Sequence, residues 1–320
     1  MISRTDFENY LKTIDTSEFE VQQKKGKRIW NIIFYSVVAV IFALVTATVI
    51  ILVERKASEQ TQTALLMATI MTTVVLGTIT AGLRVYLTRR GLRKFDNEYR
   101  NKILEKLFDG YSYTYERNGA INSQIFARSG FSELGTDYRG QDLLSVAIPN
   151  KDGTPSATRF NICDLEITET HTYRDRQGNI ETETAILYKG AFGYVSFAER
   201  FKCALGLNAS CGMRGEKRIE LEDVKFNKAI RTFTDNELEA RVILDPVMMQ
   251  KFLKLNTYAA GLKLRLRSNE GFLSMRRNLF EARRQKGQTM AEAYGALYDD
   301  AYLIILIIEE IRKNDKHFKI

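Results

Sequence analysis

Cysteine, proline, histidine and tryptophan are all scarce: the 320 residues hold 3 Cys, 3 Pro, 2 His and 1 Trp. Three thiols cannot build a disulfide framework, and two histidines leave little for a histidine-rich metal centre. With so little proline and an ordinary 11% of aromatics, the chain is neither collagen-like nor a disordered tract. It carries a formal charge of +8, with 45% hydrophobic and 27% charged residues. Mean hydropathy is mildly negative, yet two stretches are almost wholly apolar, so the remainder is distinctly polar. That contrast indicates a membrane anchor followed by a soluble domain, with chain enough for one large or two small domains.

The first apolar stretch, 29–53, contains no Asp, Glu, Lys, Arg or His. Its roughly 25 residues exceed the ~20 that cross a hydrocarbon core as a helix. A cleavable signal peptide would start nearer the N-terminus and end in small residues, whereas this stretch ends Ile50-Ile51-Leu52-Val53. The second span, 64–87, is threonine-rich and reaches Leu87 if Arg84 snorkels to the interface. The short link, 54–63, suits a tight helical hairpin. Ala39, Ala43 and Ala47, and Thr73, Gly77 and Ala81, are expected to form ridges along which the helices approach. Lys24, Lys25, Lys27 and Arg28 precede the first span, and Arg84, Arg89, Arg90, Arg93 and Lys94 close the second. In the link, Glu54 and Glu59 offset Arg55 and Lys56. The positive-inside rule therefore gives a multi-pass inner-membrane protein with both termini cytoplasmic. Cys163, Cys203 and Cys211 then lie in a reducing compartment as free thiols.

Residues 1–28 read as an N-terminal amphipathic helix through Phe7, Tyr10, Leu11 and Ile14, with Thr5 and Glu8 as its capping box. Residues 88–109 read as a helical stalk, periodic through Leu92, Phe95, Tyr99, Ile103 and Leu107 and stopped by Gly110. Packing of these two stripes together, or onto the soluble domain, is favoured over a helix lying on headgroups, because the acids of the first segment outnumber Lys12.

From 110 to 320 strand and helix signals mix in irregular order, which argues an α+β domain. The expected strands are 111–116, 163–173, 180–189, 193–201, 262–267 and 272–276, the second and third joined as a hairpin. Leu262, Leu264 and Leu266 alternate with Lys263, Arg265 and Arg267 as in a half-buried strand. Asp245 before Pro246 opens a helix to about Leu255. A last helix runs from near Thr289 to Lys313, with Ala301 to Ile308 too short to span and expected against a sheet. Segments 119–137 and 206–216 read as loops.

Val224-Lys225-Phe226-Asn227-Lys228, Phe233-Thr234, Glu239 to Pro246, Met248-Met249, Phe252-Leu253 and Asn278-Leu279-Phe280-Glu281 together resemble a bacterial family known as domain of unknown function 3137. The resemblance covers roughly the last two thirds of the chain and departs from the family pattern at 206–215 and in the basic strand 263–267. It implies an α+β cytoplasmic domain behind an N-terminal transmembrane helical hairpin, and implies no reaction. Within the motif, Glu239 and Arg241 are two apart and cannot pair on a helix, so each is expected to reach a different partner as buried ionic support.

No catalytic constellation emerges. Cys203 and Cys211 lack metal-module spacing, and Gly206, Gly212, Gly215 and Lys217 lack a phosphate-loop ending. No cofactor is implied. A basic run does stand out: Lys263, Arg265, Arg267, Arg276, Arg277, Arg283, Arg284 and Lys286. It reads either as a solvated strand edge or as a surface for anionic lipid headgroups, while sparse aromatics argue against nucleic acid. Two functions follow from different classes: a tethered binding or scaffold module, with the bilayer and a protein as partners, or a membrane-proximal enzyme of unidentified reaction. Oligomerisation stays open. Transport is disfavoured because neither span embeds an ionisable residue apart from terminal Arg84.

Overall fold

The computed structural model describes residues 1–53, 59–131, 135–149, 158–174, 180–212, 214–259, 261–280, 288–313 and 318. They fall into two compact units: Tyr10–Ile103 with Arg284–Glu292, and Met1–Asn9 with Leu104–Arg283 and Ala293–Ile320. The link 54–58 and the hairpin turn 175–179 lie outside the described residues.

Helix α1 (Arg4–Thr13) and helix α2 (Ser17–Val53) are separate, where a single helix to residue 28 was expected. The first is capped by Ser3, whose hydroxyl accepts from the Asp6 amide at 3.1 Å, two residues earlier than the Thr5 cap the sequence suggests. The second opens on Asp15, which accepts from the Ser17 amide at 2.8 Å; these bonds hold the Asp15 carboxyl below its usual pKa.

Helix α3 (Glu59–Leu107) runs unbroken through the expected span and stalk. It lies antiparallel to α2, as paired positions show: Glu18 with Lys94 at 3.0 Å, Phe19 against Phe95 and Tyr99, Arg84 over Trp30 at 4.9 Å, and Thr48 with Thr69 at 3.0 Å. Gly26 permits the closest approach, since a Cβ there would sit 2.2 Å from the Leu87 carbonyl oxygen. The less exposed positions form one seam, Ile33, Val37, Ile41 and Thr48 facing Leu65, Thr69, Thr73, Leu76 and Thr80. Ala39, Ala43 and Ala47 point away from it, as do Gly77 and Ala81. The cause is rotational: Phe19, Gly26 and Trp30 set the α2 contact face, and Ala39 and Ala43 stand two residues, about 200°, on from Val37 and Ile41. Thr46, Thr69, Thr72, Thr73, Thr78 and Thr80 donate to the carbonyl four residues back, so their hydroxyls are satisfied within the helix.

The other unit is built on one nine-stranded sheet. Its strands are β1 (Ser112–Glu116), β2 (Asp137–Ala147), β3 (Arg159–Arg174), β4 (Ile180–Ser196), β5 (Leu205–Leu207), β6 (Lys217–Ile219), β7 (Thr232–Thr234), β8 (Lys263–Arg267) and β9 (Glu270–Met275). They lie in the order β1-β2-β3-β4-β9-β8-β5-β7-β6, with every neighbouring pair antiparallel. With helices α4 (Ser123–Ser129), α5 (Val224–Ala229), α6 (Glu237–Ile243), α7 (Pro246–Tyr258) and α8 (Gly295–Lys313), this is the expected α+β class. The loop reading of 119–137 missed α4, a helix of two turns capped by Asn122 and closed by left-handed Gly130. As expected, Asp245 caps α7, accepting from the Met248 amide at 2.7 Å. A 3-10 turn at Glu292–Tyr294 precedes α8, so the helix proper begins six residues beyond Thr289.

Strand alternation sends side chains to two apolar layers. Leu264, Leu266 and Leu273 meet Phe252 and Leu255 of α7 and Ile304, Ile307, Ile308 and Ile311 of α8. This is the sheet-facing role expected of the apolar run in the last helix. On the opposite face, Cys163, Leu165, Ile167, Tyr188, Phe192 and Phe272 pack with Phe126 of α4 and with Phe131, the Phe126 and Phe192 rings lying 4.9 Å apart.

Strand β4 is continuous where two strands were expected, because Gly190 serves a crossing and not a break. After β9 the chain passes over β4 there, and a Cβ on Gly190 would meet the Met275 carbonyl oxygen at 2.0 Å and the Arg277 nitrogen at 2.5 Å. The Arg277 carbonyl accepts from the Ala191 amide at 2.8 Å, fixing the crossing. Gly190→Ala is therefore expected to cost roughly 2–3 kcal/mol in urea unfolding, since backbone must shift to admit the methyl. Gly295→Ala, with nothing within 4 Å of its added Cβ, serves as the near-neutral control.

Candidate functional site

Beyond the crossing, residues 276–280 are drawn onto β3 by Asp164. Its carboxylate, 4% exposed, accepts from the Leu279 amide at 2.7 Å and the Phe280 amide at 3.3 Å. Tyr188 supports the same crossing from below, its hydroxyl lying 2.6 Å from the Ala191 carbonyl and 3.0 Å from that of Met275. Arg277 turns inward and pairs with Asp300 of α8, the two side chains being 10% and 3% exposed.

Next to this segment opens a polar cleft of about 220 Å³ lined by Arg139, Gln141, Asp164, Glu166, Lys189 and Asn278. Glu166 and Lys189 form an ion pair across β3 and β4, and Arg139 is held by Asp137 at 2.8 Å. These rim pairs are half-exposed and worth little individually, so a ligand could exchange with them. Strand β2 shifts register next to Gln141: Asp142 takes a positive φ of 62°, is buried, and accepts from the Tyr115 hydroxyl at 2.5 Å. The cleft offers both charges and neutral amides, which suits holding a small polar group. Among the described residues no group of three or more His, Cys, Asp or Glu could hold a metal ion.

The basic run is divided by the fold. The alternation in β8 is as expected, but the face opposite the leucines is partly covered. Lys263 and Arg265 lie along the Phe131 ring, 5.8 and 5.2 Å from its centroid. Arg265 also donates to the Ser129 carbonyl at the C-terminus of α4, where the helix dipole favours a cation. Arg267 is half-buried opposite Glu270, and Arg276 is exposed. With Arg277 in its buried pair, the described members of the run form no continuous cationic face. Arg283, Arg284 and Lys286 lie outside the described residues. On the helical unit Lys24, Lys25, Lys27 and Arg28 are exposed, and Arg84 covers Trp30. The side chains of Arg89 and Arg90 lie outside the described set.

Arg241 and Glu239 do not pair with each other. Arg241 bonds Glu237 at 2.7 Å, the Glu220 carbonyl at 2.8 Å and the Glu222 carboxylate, tying α6 to the segment after β6. The network is half-exposed and not the buried support expected, because the i,i+4 partner Glu237 lies on the surface. Hydrogen bonds from Arg241 and then Lys217 hold the Glu237 carboxyl below its usual pKa.

No sequence signal marked the cleft in advance. It arises where a crossing at Gly190 brings Asn278 beside residues of β2 and β3 that are more than a hundred positions earlier.

Its class is thus an α+β domain with helices on both faces of one antiparallel sheet and a polar cleft beside a crossing strand. Residues 176–313 match the family model described as "Protein of unknown function (DUF3137)". No curated protein matches the chain. Among solved structures, the crystal structure of the mycobacterial trehalose monomycolate transport factor A, TtfA, is similar at 12% identity and a TM-score of 0.33, covering 69% of this chain and 97% of that one. That likeness is too distant to carry an argument about function.

Two outcomes are expected of this unit. Arg277→Ala strips buried Asp300 of its cation and should lower stability by roughly 3–5 kcal/mol in urea unfolding. Burial pushes the thiol pKa of Cys163 up to about 12, of Cys203 to about 11 and of Cys211 to about 12, against an ordinary 9.0. Their contribution to stability is then intact below the ordinary value and lost as pH climbs through the folded ones. Iodoacetamide at about pH 8 should modify these thiols in denaturant and leave them unmodified in the native chain; native labelling at the unfolded rate contradicts the burial.

Proposed function

We propose that this protein is a multi-pass component of the bacterial inner membrane whose α+β unit acts on the cytoplasmic side as a tethered binding or scaffold module. The observation that carries this reading is the outward apolar surface of the helical hairpin. Among the described residues between Ile29 and Ile79, 18 large apolar side chains are exposed, including Phe42 at 72% and Tyr35 at 69%. Full burial of each is worth up to roughly 1.5–3 kcal/mol relative to water, a gain that the hairpin in water would forgo at position after position. Hydrocarbon supplies that gain. Helix α8, whose apolar run is too short to span, buries Leu303, Ile304, Ile305, Ile307, Ile308 and Ile311 within its own unit instead.

The division that follows is a cytoplasmic segment 1–28, spans 29–53 and 64–87 joined by an external link 54–63, a stalk 88–109 and a cytoplasmic domain 110–320. Supporting the orientation, Lys24, Lys25, Lys27 and Arg28 are exposed on the turns preceding the first span, where each contributes ~1 kcal/mol beside anionic headgroups. Arg84 stacked on Trp30 at the close of the second span is a usual interfacial anchor. Binding is the supported activity, since the cleft gathers polar groups already in hydrogen bonds and ion pairs.

Full-length protein should stay with membranes through alkaline carbonate extraction. A C-terminal tag should resist protease in spheroplasts and be cleaved in inverted vesicles. Release by carbonate overturns the anchor, and cleavage of the tag in intact spheroplasts overturns the orientation.

A further inference from the structure

Strands β3 and β4 are 16 and 17 residues long and outrun their neighbours. Pairing of β2 with β3 ends at Thr168, and pairing of β9 with β4 covers only Ala191 to Ser196. The remainder, Glu169–Arg174 with Ile180–Leu187, is a two-stranded arm whose register continues to Arg174 opposite Ile180. Side chains from Ile180 to Ile186 are exposed on both faces, with Ile180 at 66% and Ile186 at 60%. An isolated two-stranded ribbon is marginal in water, and its open edges are templates for another strand.

The two edges differ. That of β3 is partly covered by Thr136, whose amide donates to the Thr168 carbonyl at 2.9 Å and whose hydroxyl accepts from the Thr170 amide at 3.2 Å. That of β4 pairs with no further strand over Ile180–Leu187 among the described residues. Its sequence, Ile-Glu-Thr-Glu-Thr-Ala-Ile-Leu, has strong β character and neither proline nor lysine to guard it. The charges it does hold are Glu181 and Glu183, so this edge is acidic in a chain of +8, and Glu169 offsets Arg174 on the partner strand.

We propose that the edge of β4 from Ile180 to Leu187 receives an extended, lysine- or arginine-bearing strand of a partner protein by β-augmentation. Backbone hydrogen bonds hold the strand, and Glu181 and Glu183 select its cationic side chains. The same carboxylates disfavour the alternatives. Two copies pairing edge to edge would bring like charges together, and anionic lipid or nucleic acid would be repelled. This goes beyond the membrane-anchor reading and does not depend on it, because the arm lies wholly within the α+β unit.

Fluorescence anisotropy of full-length protein in detergent tests it with three labelled octapeptides. One alternates lysine with threonine and valine, the second replaces lysine by glutamate, and the third is the lysine peptide with a central proline. The lysine peptide should bind, weakening as ionic strength rises, and the other two should bind at least about tenfold less tightly. Glu181→Lys combined with Glu183→Lys, both at exposed positions, should reverse the preference between lysine and glutamate peptides. Absence of binding, indifference to proline, or an unchanged preference in the double variant overturns the proposal. So does light scattering that shows concentration-dependent self-association abolished by the double variant, which assigns the edge to a second copy.

Discussion

The helical hairpin turns most of its large apolar side chains outward, the feature that its proposed place in a membrane accounts for. Its seam is narrow, keyed by Gly26 against the Leu87 carbonyl and by the Thr48–Thr69 hydroxyl contact. A seam on one face of each helix leaves the other faces outward, and those faces carry Phe, Ile, Val and Met. Such an arrangement suits lipid, where every backbone donor is satisfied within its helix, hydroxyls can meet across the seam, and outward apolar side chains face acyl chains. Threonine suits both requirements, since its hydroxyl closes onto its own helix and its methyl faces outward or into the seam.

The α+β unit obeys a different constraint, that one sheet must bury both of its faces. Helices α7 and α8 cover one with isoleucines, Leu255 and Phe252, and α4 with Phe131 covers the other with aromatics. The consequence for chemistry is a crossing. Because β9 is short, the chain leaving it passes over β4 at Gly190 and is caught by the Asp164 carboxylate. A polar cleft is left beside the captured segment, and the far part of the β3–β4 hairpin is left without neighbours. Cleft and arm thus share one topological origin.

Much of this was legible where a pattern is local. Strand alternation at 262–267, the Asp245-Pro246 helix start and the apolar lengths of the two hairpin helices each depend on residues within a few positions of one another. What escaped was set by distant contacts. Gly190 reads in sequence as a strand breaker because nothing nearby reveals the chain that crosses it. Arg277 reads as a member of a basic run because its partner Asp300 is 23 residues away. The alanine ridge on α2 has the right spacing for helix association but the wrong rotation, which Phe19 and Gly26 decide through α3. Helix α4 was too short for a periodicity signal and declares itself only through its caps. The cleft had no signature at all, being assembled from three strands and a crossing.

Trp30 offers a direct readout of the solvent around the hairpin, because it is the one tryptophan in the chain. Full-length protein is reconstituted into bilayers whose acyl chains carry bromine at shallow or deep positions, and its tryptophan emission is measured. With Trp30 stacked under Arg84 at the membrane interface, emission should be blue-shifted and quenched more by shallow than by deep bromine. Emission characteristic of water, quenched by acrylamide and indifferent to brominated lipid, would contradict the account.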